Sequence, residues 1–564
     1  MKKKIVIAEY VSTGENFVYD VLSRGYEPIL LDCTYIASDE DLEYFKGLRE
    51  SVKARLPQGL KIIEENSDYS AVLEQIQKLK PDFVIAGSEF GVPYATRLAE
   101  DLGLAGNPVK SLKAMTEKDA MHQALKEYGI RYIRGQVISS KEEAIKFYEE
   151  LNTPHVVVKR VRGVATQGVY MCNGLEEVLQ AVEKELSFSI KNADSNVALL
   201  MQEQIIGTEY IVNTVSCNGK HRVTSLWVYD KIKLSNGTNA YNYSQTINHL
   251  DIGHTRLVQY AFNVLDAIGI RYGSVHGEFM IDEKGPVLIE VNCRPMGSGM
   301  GRKFMEKMFG HHETDCVLDA YLNPEKFEED RNKPYRPLRK GAIKDIILPK
   351  DTIAESSPII PIVKRLKSYN GSYFGRLGRE YVITQTKDLE TAGGTLYLVH
   401  EDEQVVTDEC NLLHKIEMEY PDLFFQNGMP KTTVHKPNRN IADIMKKLKC
   451  SGSTIVFSDG NCEEIEGAVV IGEKDLPYAY DSYEQGILDL SNSDTFNDLE
   501  IVVQQIYEFA DKIREGGRII IPESTYCNIP YGIEGMEILL RITDLQIECP
   551  NSDMENVLIA SVRK

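Results

Sequence analysis

The sequence predicts an α/β and α+β multidomain protein, and three observations lead there. At 564 residues the chain exceeds what a single hydrophobic core organises. Its first hundred or so residues alternate short apolar runs with amphipathic stretches, the pattern of a small open α/β layer. A middle block alternates apolar and polar residues over long runs, as half-buried antiparallel strands do.

KIVIAEY, PILLDCT and DFVIAGSE predict buried strands in the first layer, with YSAVLEQIQKLK as a helix between two of them. No G-x-G-x-x-G follows the first strand, so nucleotide binding is not expected in that layer. SLKAMTEKDAMHQALKEYGI predicts a helix, and HVVVKRVRGVATQGVYMC a strand entering a glycine-bounded loop. The stretch NVALLMQEQIIGTEYIVNTVSCNGKHRVTSLWVYDK alternates strongly and turns at CNGK. A hairpin, HGEFMIDEKGPVLIEVN, follows with its turn at DEKG. LKSYNGSY, EYVITQTK and ETAGGTLYLVHEDEQVV predict a further β-rich lobe. MPKTTVHKPNRN, with two prolines, reads as a linker. The expected division is 1–115, 116–335, 336–430 and 441–564.

Bulk properties exclude several classes. A net charge of -20 argues against a nucleic-acid partner, which calls for a basic stripe, but leaves room for an anionic substrate in a local basic pocket. No apolar run reaches the ~18–20 residues that span a bilayer. In MKKKIVIAEYVSTGE, the acids Glu9 and Glu15 fit a first strand better than a signal peptide. Ten cysteines without a C-x-x-C pair indicate neither a zinc site nor a disulfide framework, and a cytoplasmic setting is expected.

The stretch VLIEVNCRPMGSGMG carries the chemistry. Glu290, Asn292 and Arg294 are spaced by two, which places them on one face of an extended chain. Such a face is not buried without a charged partner. Glu278 lies on the preceding strand, so Glu278, Glu290 and Asn292 can bring hard oxygens together, a set suited to Mg²⁺. The alternative is a solvated acidic edge, which is the better reading of any one acidic pair but not of the joint Glu…Glu-x-Asn-x-Arg pattern. Lys159 ends an apolar strand before a loop bounded by Gly163 and Gly168, whose amides could approach phosphates. That loop has no P-loop spacing, and Lys118 and Lys159 taken singly are ordinary surface lysines. In MQEQIIGTEY an extended segment leads to Gly207 and Glu209. Such a segment can meet an adenine through its main chain and ribose hydroxyls through the carboxylate, though the sequence is also that of a common β-turn.

Taken in order, lysine, strand–lysine–glycine loop, strand–Gly-x-Glu and Glu…Glu-x-Asn-x-Arg resemble the ATP-grasp superfamily over roughly residues 1 to 430. The details are most similar to the L-amino acid ligases, carboxylate–amine ligases of the bacilysin-synthetase type. The residues that carry this are AGSEFGVPYATRLAEDLGLAGN (Glu89, Asn107), His276 and Glu278 in VHGEFM, and GPVLIEVNCRPMGSG.

The resemblance implies an ATP-grasp fold behind an N-terminal open α/β domain. It implies ATP and two Mg²⁺ ions, with Mn²⁺ as a substitute, an amino acid carboxylate and an amine as substrates, and dimerisation at the family level. Lys118 and Lys159 would contact phosphates, and the loop with Gly163, Thr166 and Gly168 would close over them. Main chain around Gln202, Glu203 and Ile205 would hold adenine, and Glu209 the ribose. Glu278, Glu290 and Asn292 would ligate metal, while Arg294 would stabilise an acyl phosphate and the tetrahedral species after it. His276, Glu89, Met296, Gly297 and Ser298 would face substrate. The product would be an amide, in dipeptide or specialised-metabolite biosynthesis. Val164 and Gln167 make the 163–168 loop bulkier than in many relatives, which bears on loop mobility and substrate size.

The last 120 or so residues lie outside that resemblance. IVVQQIYEFADKIREGGRIIIPES predicts a helix, a Gly516–Gly517 turn and a strand, similar to the later half of a class I methyltransferase. IADIMKKLKCSGSTIVFSDGN would be an earlier helix and strand, but only Asp459 and Gly460 hint at a cofactor loop. A Rossmann-like, degenerate methyltransferase-like domain is the expectation. A non-catalytic nucleotide-binding scaffold, a bifunctional ligase–methyltransferase, and a purine-pathway or carboxylase type of enzyme are the competing readings.

Overall fold

The computed structural model describes residues 2–33, 39–64, 68–160, 169–191, 199–234, 239–297, 299–354, 357–374, 381–387, 391–425, 441–448, 450, 452–458, 465–472, 476, 482–490, 498–542, 545–548 and 557–562. The chain forms two compact units, Met1–Asp230 with Ser244–Gly341, and Lys231–Tyr243 with Ala342–Lys564. The expected linker 429–440, the glycine loop 161–168, Ser298, Asp459 and Gly460 lie outside the described residues.

Unit 1 opens with a parallel sheet in the order Lys61–Ile63, Glu27–Leu31, Lys4–Ala8, Phe83–Ala86. Glu27–Leu31, Lys4–Ala8 and Phe83–Ala86 are buried along nearly their whole length, which is why their sequences are near-continuous apolar runs, while the edge strand Lys61–Ile63 buries only Ile63. The predicted helix at YSAVLEQIQKLK is Tyr69–Leu79, capped by Asp68, whose carboxylate accepts from the Ser70 amide.

A second, antiparallel sheet runs Gly135–Ile138, Leu199–Glu203, His155–Arg160, Tyr170–Asn173. Helices Lys141–Leu151 and Leu175–Lys191 belong to the same lobe. A third set of strands places Gly285–Asn292 beside Gly273–Asp282, then Thr208–Cys217, then Lys220–Lys233. CNGK turns as expected, with positive φ at Asn218 and Gly219. Helix Ile252–Ile268 packs Leu257, Ala261, Val264 and Leu265 with Val275, Phe279, Leu288 and Val291 of these strands.

The predicted helix 111–130 is two helices, Leu112–Thr116 and Lys118–Tyr128. Glu117 is extended (φ -118°, ψ 122°), so Lys118 becomes the first residue of a new helix.

In unit 2, Thr395–His400 pairs with Tyr369–Tyr373. The lobe is less β-rich than expected, because HEDEQVV opens a helix, Glu403–Glu419. Asp402 caps it through the Gln404 amide, a local signal that outweighs the valines. The final sheet runs Val469–Ile471, Thr454–Ser458, Tyr483–Asp489, Ile513–Pro522, Val557–Val562, Leu545–Glu548. The first four strands are parallel, and Val557–Val562 is antiparallel to both neighbours. Gly516 and Gly517 do not form the expected turn between helix Leu499–Asp511 and a strand. Both lie inside strand Ile513–Pro522, beside a register irregularity, where a Cβ on Gly517 would sit 2.8 Å from the Glu484 carbonyl.

Among the described residues no helix is long and apolar enough to cross a membrane, and the eight described cysteines are free.

Candidate active site

Unit 1 gathers most of the residues singled out in the sequence. Glu278 and Glu290 are register partners across the antiparallel pair Gly273–Asp282 and Gly285–Asn292, with His276 opposite Asn292. A bulge at Ile289 shifts the register, since Phe279 pairs with Leu288 while Glu278 pairs with Glu290. The extra residue re-aims the side chains beyond it. The strand ends at Asn292, and the Arg294 amide donates to the Asn292 carbonyl (2.8 Å). Arg294 therefore sits in a turn, not on the extended face that period-two spacing implies.

Lys118 reaches this face from its helix start, its Nζ 2.9 Å from Glu290 Oε2. Lys159 is buried in strand His155–Arg160. Burial alone would raise the Glu290 carboxyl, but the ammonium groups of Lys118 and Lys159 hold it down to about 2. Burial, aided by the neighbouring Lys118 charge, brings Lys159 down to about 8. Lys118 itself is raised, because Glu290 outweighs its desolvation.

On the N-terminal side, Glu89 follows strand Phe83–Ala86 in the tight turn Glu89–Gly91. Its Oε2 lies 3.7 Å from Arg294 Nη2. Burial raises the Glu89 carboxyl, and Arg294 opposes that rise.

His276 Nδ1 and Asn213 Oδ1 are 2.8 Å apart, and His276 Nε2 lies 3.3 Å from Glu278 Oε1. A proton on Nδ1 donates to the amide oxygen, which leaves Nε2 facing the carboxylate. Asn213 also donates to Ser225 Oγ (2.8 Å) and approaches Met296 Sδ (3.3 Å).

Gln202 and Glu203 lie in the central strand Leu199–Glu203, and part of what they offer is already engaged. The Glu203 amide donates to Arg134 O (3.0 Å), and Arg134 binds its carboxylate. Ile205 and Gly207 fall just beyond, between that strand and Thr208–Cys217, where Glu209 is buried. Asn107, part of the sequence resemblance, anchors the turn before strand Gly273–Asp282 by accepting from the Arg271 and Tyr272 amides.

Three residues escape the sequence reading. Asn213 orients His276. Thr13 and Glu313 hold the turn after Arg294, with Met296 donating its amide to Glu313 Oε2 (3.1 Å). Only Asn213 leaves a trace in sequence, as an amide directly after the apolar run Tyr210–Val212 of strand Thr208–Cys217.

Among the described residues no group of three or more His, Cys, Asp or Glu side chains forms a self-sufficient metal site. Two opposed carboxylates and an amide oxygen fit instead an ion that takes few protein ligands and completes its shell with phosphate and water oxygens, as Mg²⁺ does.

Residues 116–298 match the family model described as phosphoribosylglycinamide synthetase, ATP-grasp (A) domain. The chain is 26% identical over 422 residues to dapdiamide A synthase of Enterobacter agglomerans, covering 74% of this chain and 97% of the relative. The L-amino acid ligase structure from Bacillus licheniformis is similar at a TM-score of 0.57 and 18% identity, over 74% of this chain and 97% of that one. Carboxyaminoimidazole ribonucleotide synthase of Aspergillus clavatus, complexed with ATP, gives 0.52 at 14% identity, over 74% and 98%. With the lobe that carries Lys159, the carboxylate hairpin and these likenesses in agreement, residues 116–298 are an ATP-grasp domain.

Proposed function

We propose that this chain is an ATP-dependent carboxylate–amine ligase that forms an amide bond from an amino acid carboxylate and an amine, with ADP and phosphate as products. The observation that carries the reading is one cluster holding opposed Glu278 and Glu290, the lysines Lys118 and Lys159, and Arg294 beside Glu89. The relative named dapdiamide A synthase, similar over three quarters of the chain, supports the same chemistry.

A carboxylate is a poor acyl donor because an oxide would have to leave. Transfer of the γ-phosphoryl group gives an acyl phosphate, whose leaving group is phosphate. Lys118 and Lys159 bind the phosphates and offset their repulsion of the incoming carboxylate. Arg294 orients that carboxylate, then meets the oxygen that becomes negative when the amine attacks. Glu89, placed beside Arg294 by the N-terminal layer, is positioned for a substrate ammonium. His276, its ring fixed by Asn213, faces the same space with Met296 and Gly297. Mg²⁺, for which Mn²⁺ would substitute, would be held by Glu278, Glu290 and Asn292 and would neutralise charge on the transferring phosphoryl oxygens. The base would sit against the stretch around Gln202, Glu203 and Ile205, with Glu209 at the ribose. In this reading the loop with Gly163, Thr166 and Gly168 would close over the phosphates and Ser298 would face substrate, as the sequence resemblance implies.

The four-part division at 115, 335 and 430–441 belongs to the same proposal. The terminal domain is read as a degenerate methyltransferase-like module, supported by its open, mostly parallel sheet. Titration with S-adenosylmethionine tests it, and clear binding overturns the degenerate assignment.

The ligase reading is tested by ADP and phosphate release across a panel of amino acids and amines, with mass spectrometry of the products. Amine-dependent ADP formation with a new amide mass is expected. ADP formation by no pair defeats the reading for the substrates tried and favours a nucleotide-binding scaffold.

A further inference from the structure

The backbone that follows Arg294 is hydrogen-bonded by side chains from two separate elements outside the motif. Thr13, in the short helical turn Ser12–Gly14, uses its hydroxyl twice. Its Oγ1 accepts from the Met300 amide (2.9 Å) and donates to the Gly297 carbonyl (3.3 Å). Ser12 Oγ accepts from the Gly299 amide (3.2 Å), and Asn16 Nδ2 donates to the Met300 carbonyl (2.7 Å). From a second element, Glu313 at the start of helix Glu313–Leu322 accepts from the Met296 amide (3.1 Å). The turn thus gripped lies against Arg294, since a Cβ on Gly297 would sit 4.0 Å from Nη1. Through Met296 Sδ it also touches Asn213, which orients His276.

We propose that Thr13 and Glu313 are positioning residues that hold the backbone of Met296, Gly297 and Met300 from two separate elements and thereby set the amino-acid-binding wall beside Arg294. The assignment of that wall rests on the ligase reading. A glycine-rich turn has many accessible backbone conformations, and few of them keep one wall in place. Five side-chain hydrogen bonds to its backbone supply what its own sequence lacks. Glu313 is 4% exposed, and its second carboxyl oxygen has no partner among the described residues. Burial pushes that carboxyl up to about 8, against the pull of the Met296 amide and Arg294. The turn therefore requires an acceptor at this position and not a charge, so glutamine should replace glutamate.

The experiment compares Thr13→Val and Glu313→Ala with their conservative partners Thr13→Ser and Glu313→Gln. Two readouts are taken on the full chain: amide hydrogen exchange in peptides covering 294–301, and KM for the amino acid against KM for ATP. Thr13→Val and Glu313→Ala are expected to speed exchange there by about tenfold and raise the amino acid KM by about fivefold, with the ATP KM unchanged. Thr13→Ser and Glu313→Gln should stay within about twofold of wild type. Unchanged exchange in Thr13→Val and Glu313→Ala overturns the proposal, as does an equal rise in both KM values. If wild type turns over no amino acid at all, the ligase reading falls separately, and exchange alone decides whether the two residues lock the turn.

Discussion

Glu278 and Glu290 face each other directly across two antiparallel strands. Like charges in that relation are destabilising unless a cation lies between or beside them. Lys118 meets one of the two. Replacing Glu290 by alanine should weaken Mn²⁺ binding in the presence of ATP, read by electron paramagnetic resonance. ADP release should fall by more than about 100-fold. Retained turnover would remove Glu290 from the metal site.

Lys118 is the principal cation holding the Glu290 carboxyl down. Lys118→Met should raise the ATP KM by roughly tenfold, about 1.4 kcal/mol, with a smaller effect on the amino acid KM. Steady-state kinetics with each substrate varied in turn would show the split. An unchanged ATP KM would mean that the pair with Glu290 is structural only.

Lys159 gives a pH signature. With its ammonium lowered to about 8, it is charged below that pH and neutral above it. Phosphates favour the charged form, so ATP affinity should fall as pH rises through 8, approaching about tenfold per pH unit. Isothermal titration in buffers of different ionisation enthalpy should show proton uptake above pH 8, and Lys159→Met should abolish that uptake. The stability sign is opposite. A lysine with a lowered folded pKa destabilises the protein while it is charged, and the penalty is relieved as pH rises from about 8 toward its unfolded value. Lys159→Met should therefore stabilise the protein without nucleotide by about 2–3 kcal/mol at neutral pH, measured by denaturant melts.

In unit 2, Lys344 Nζ lies 2.6 and 2.7 Å from the two carboxylate oxygens of Glu417, and both side chains are fully buried. Lys344→Met alone leaves a buried carboxylate and should cost about 3–5 kcal/mol. Adding Glu417→Leu should recover much of that loss. A double variant as unstable as the single one would point to another role for Glu417, whose Oε1 also accepts from the Ile347 amide.

Much of the carboxylate site is legible in sequence because it is local. The DEKG turn brings two neighbouring strands together and so puts their acids within reach of each other, although its own register would oppose Glu278 to Ile289 and only the bulge brings Glu290 and Asn292 opposite Glu278 and His276. The bulge is not legible, since VLIEV is apolar on both faces and carries no phase marker at Ile289. The break at Glu117 has no glycine or proline to announce it. Asp402 was available as a cap signal, but the alternation of HEDEQVV masks it. Thr13 meets Met300 across 287 residues, and Glu89 meets Arg294 from another sheet layer. Contacts of that separation depend on tertiary packing, which no local period encodes.

The bulge at Ile289 also governs how this hairpin should be compared with others. It divides the pair into two blocks, 279–282 with 285–288 at the tip and 276–278 with 290–292 at the base. Between them, one residue has no counterpart on the facing strand. A relative lacking the bulge would carry one residue fewer between its tip and its Glu-x-Asn, yet would keep the two glutamates opposed. Alignments that forbid a gap there would pair the wrong acid, and the quantity conserved in space is a facing, not a count along the chain.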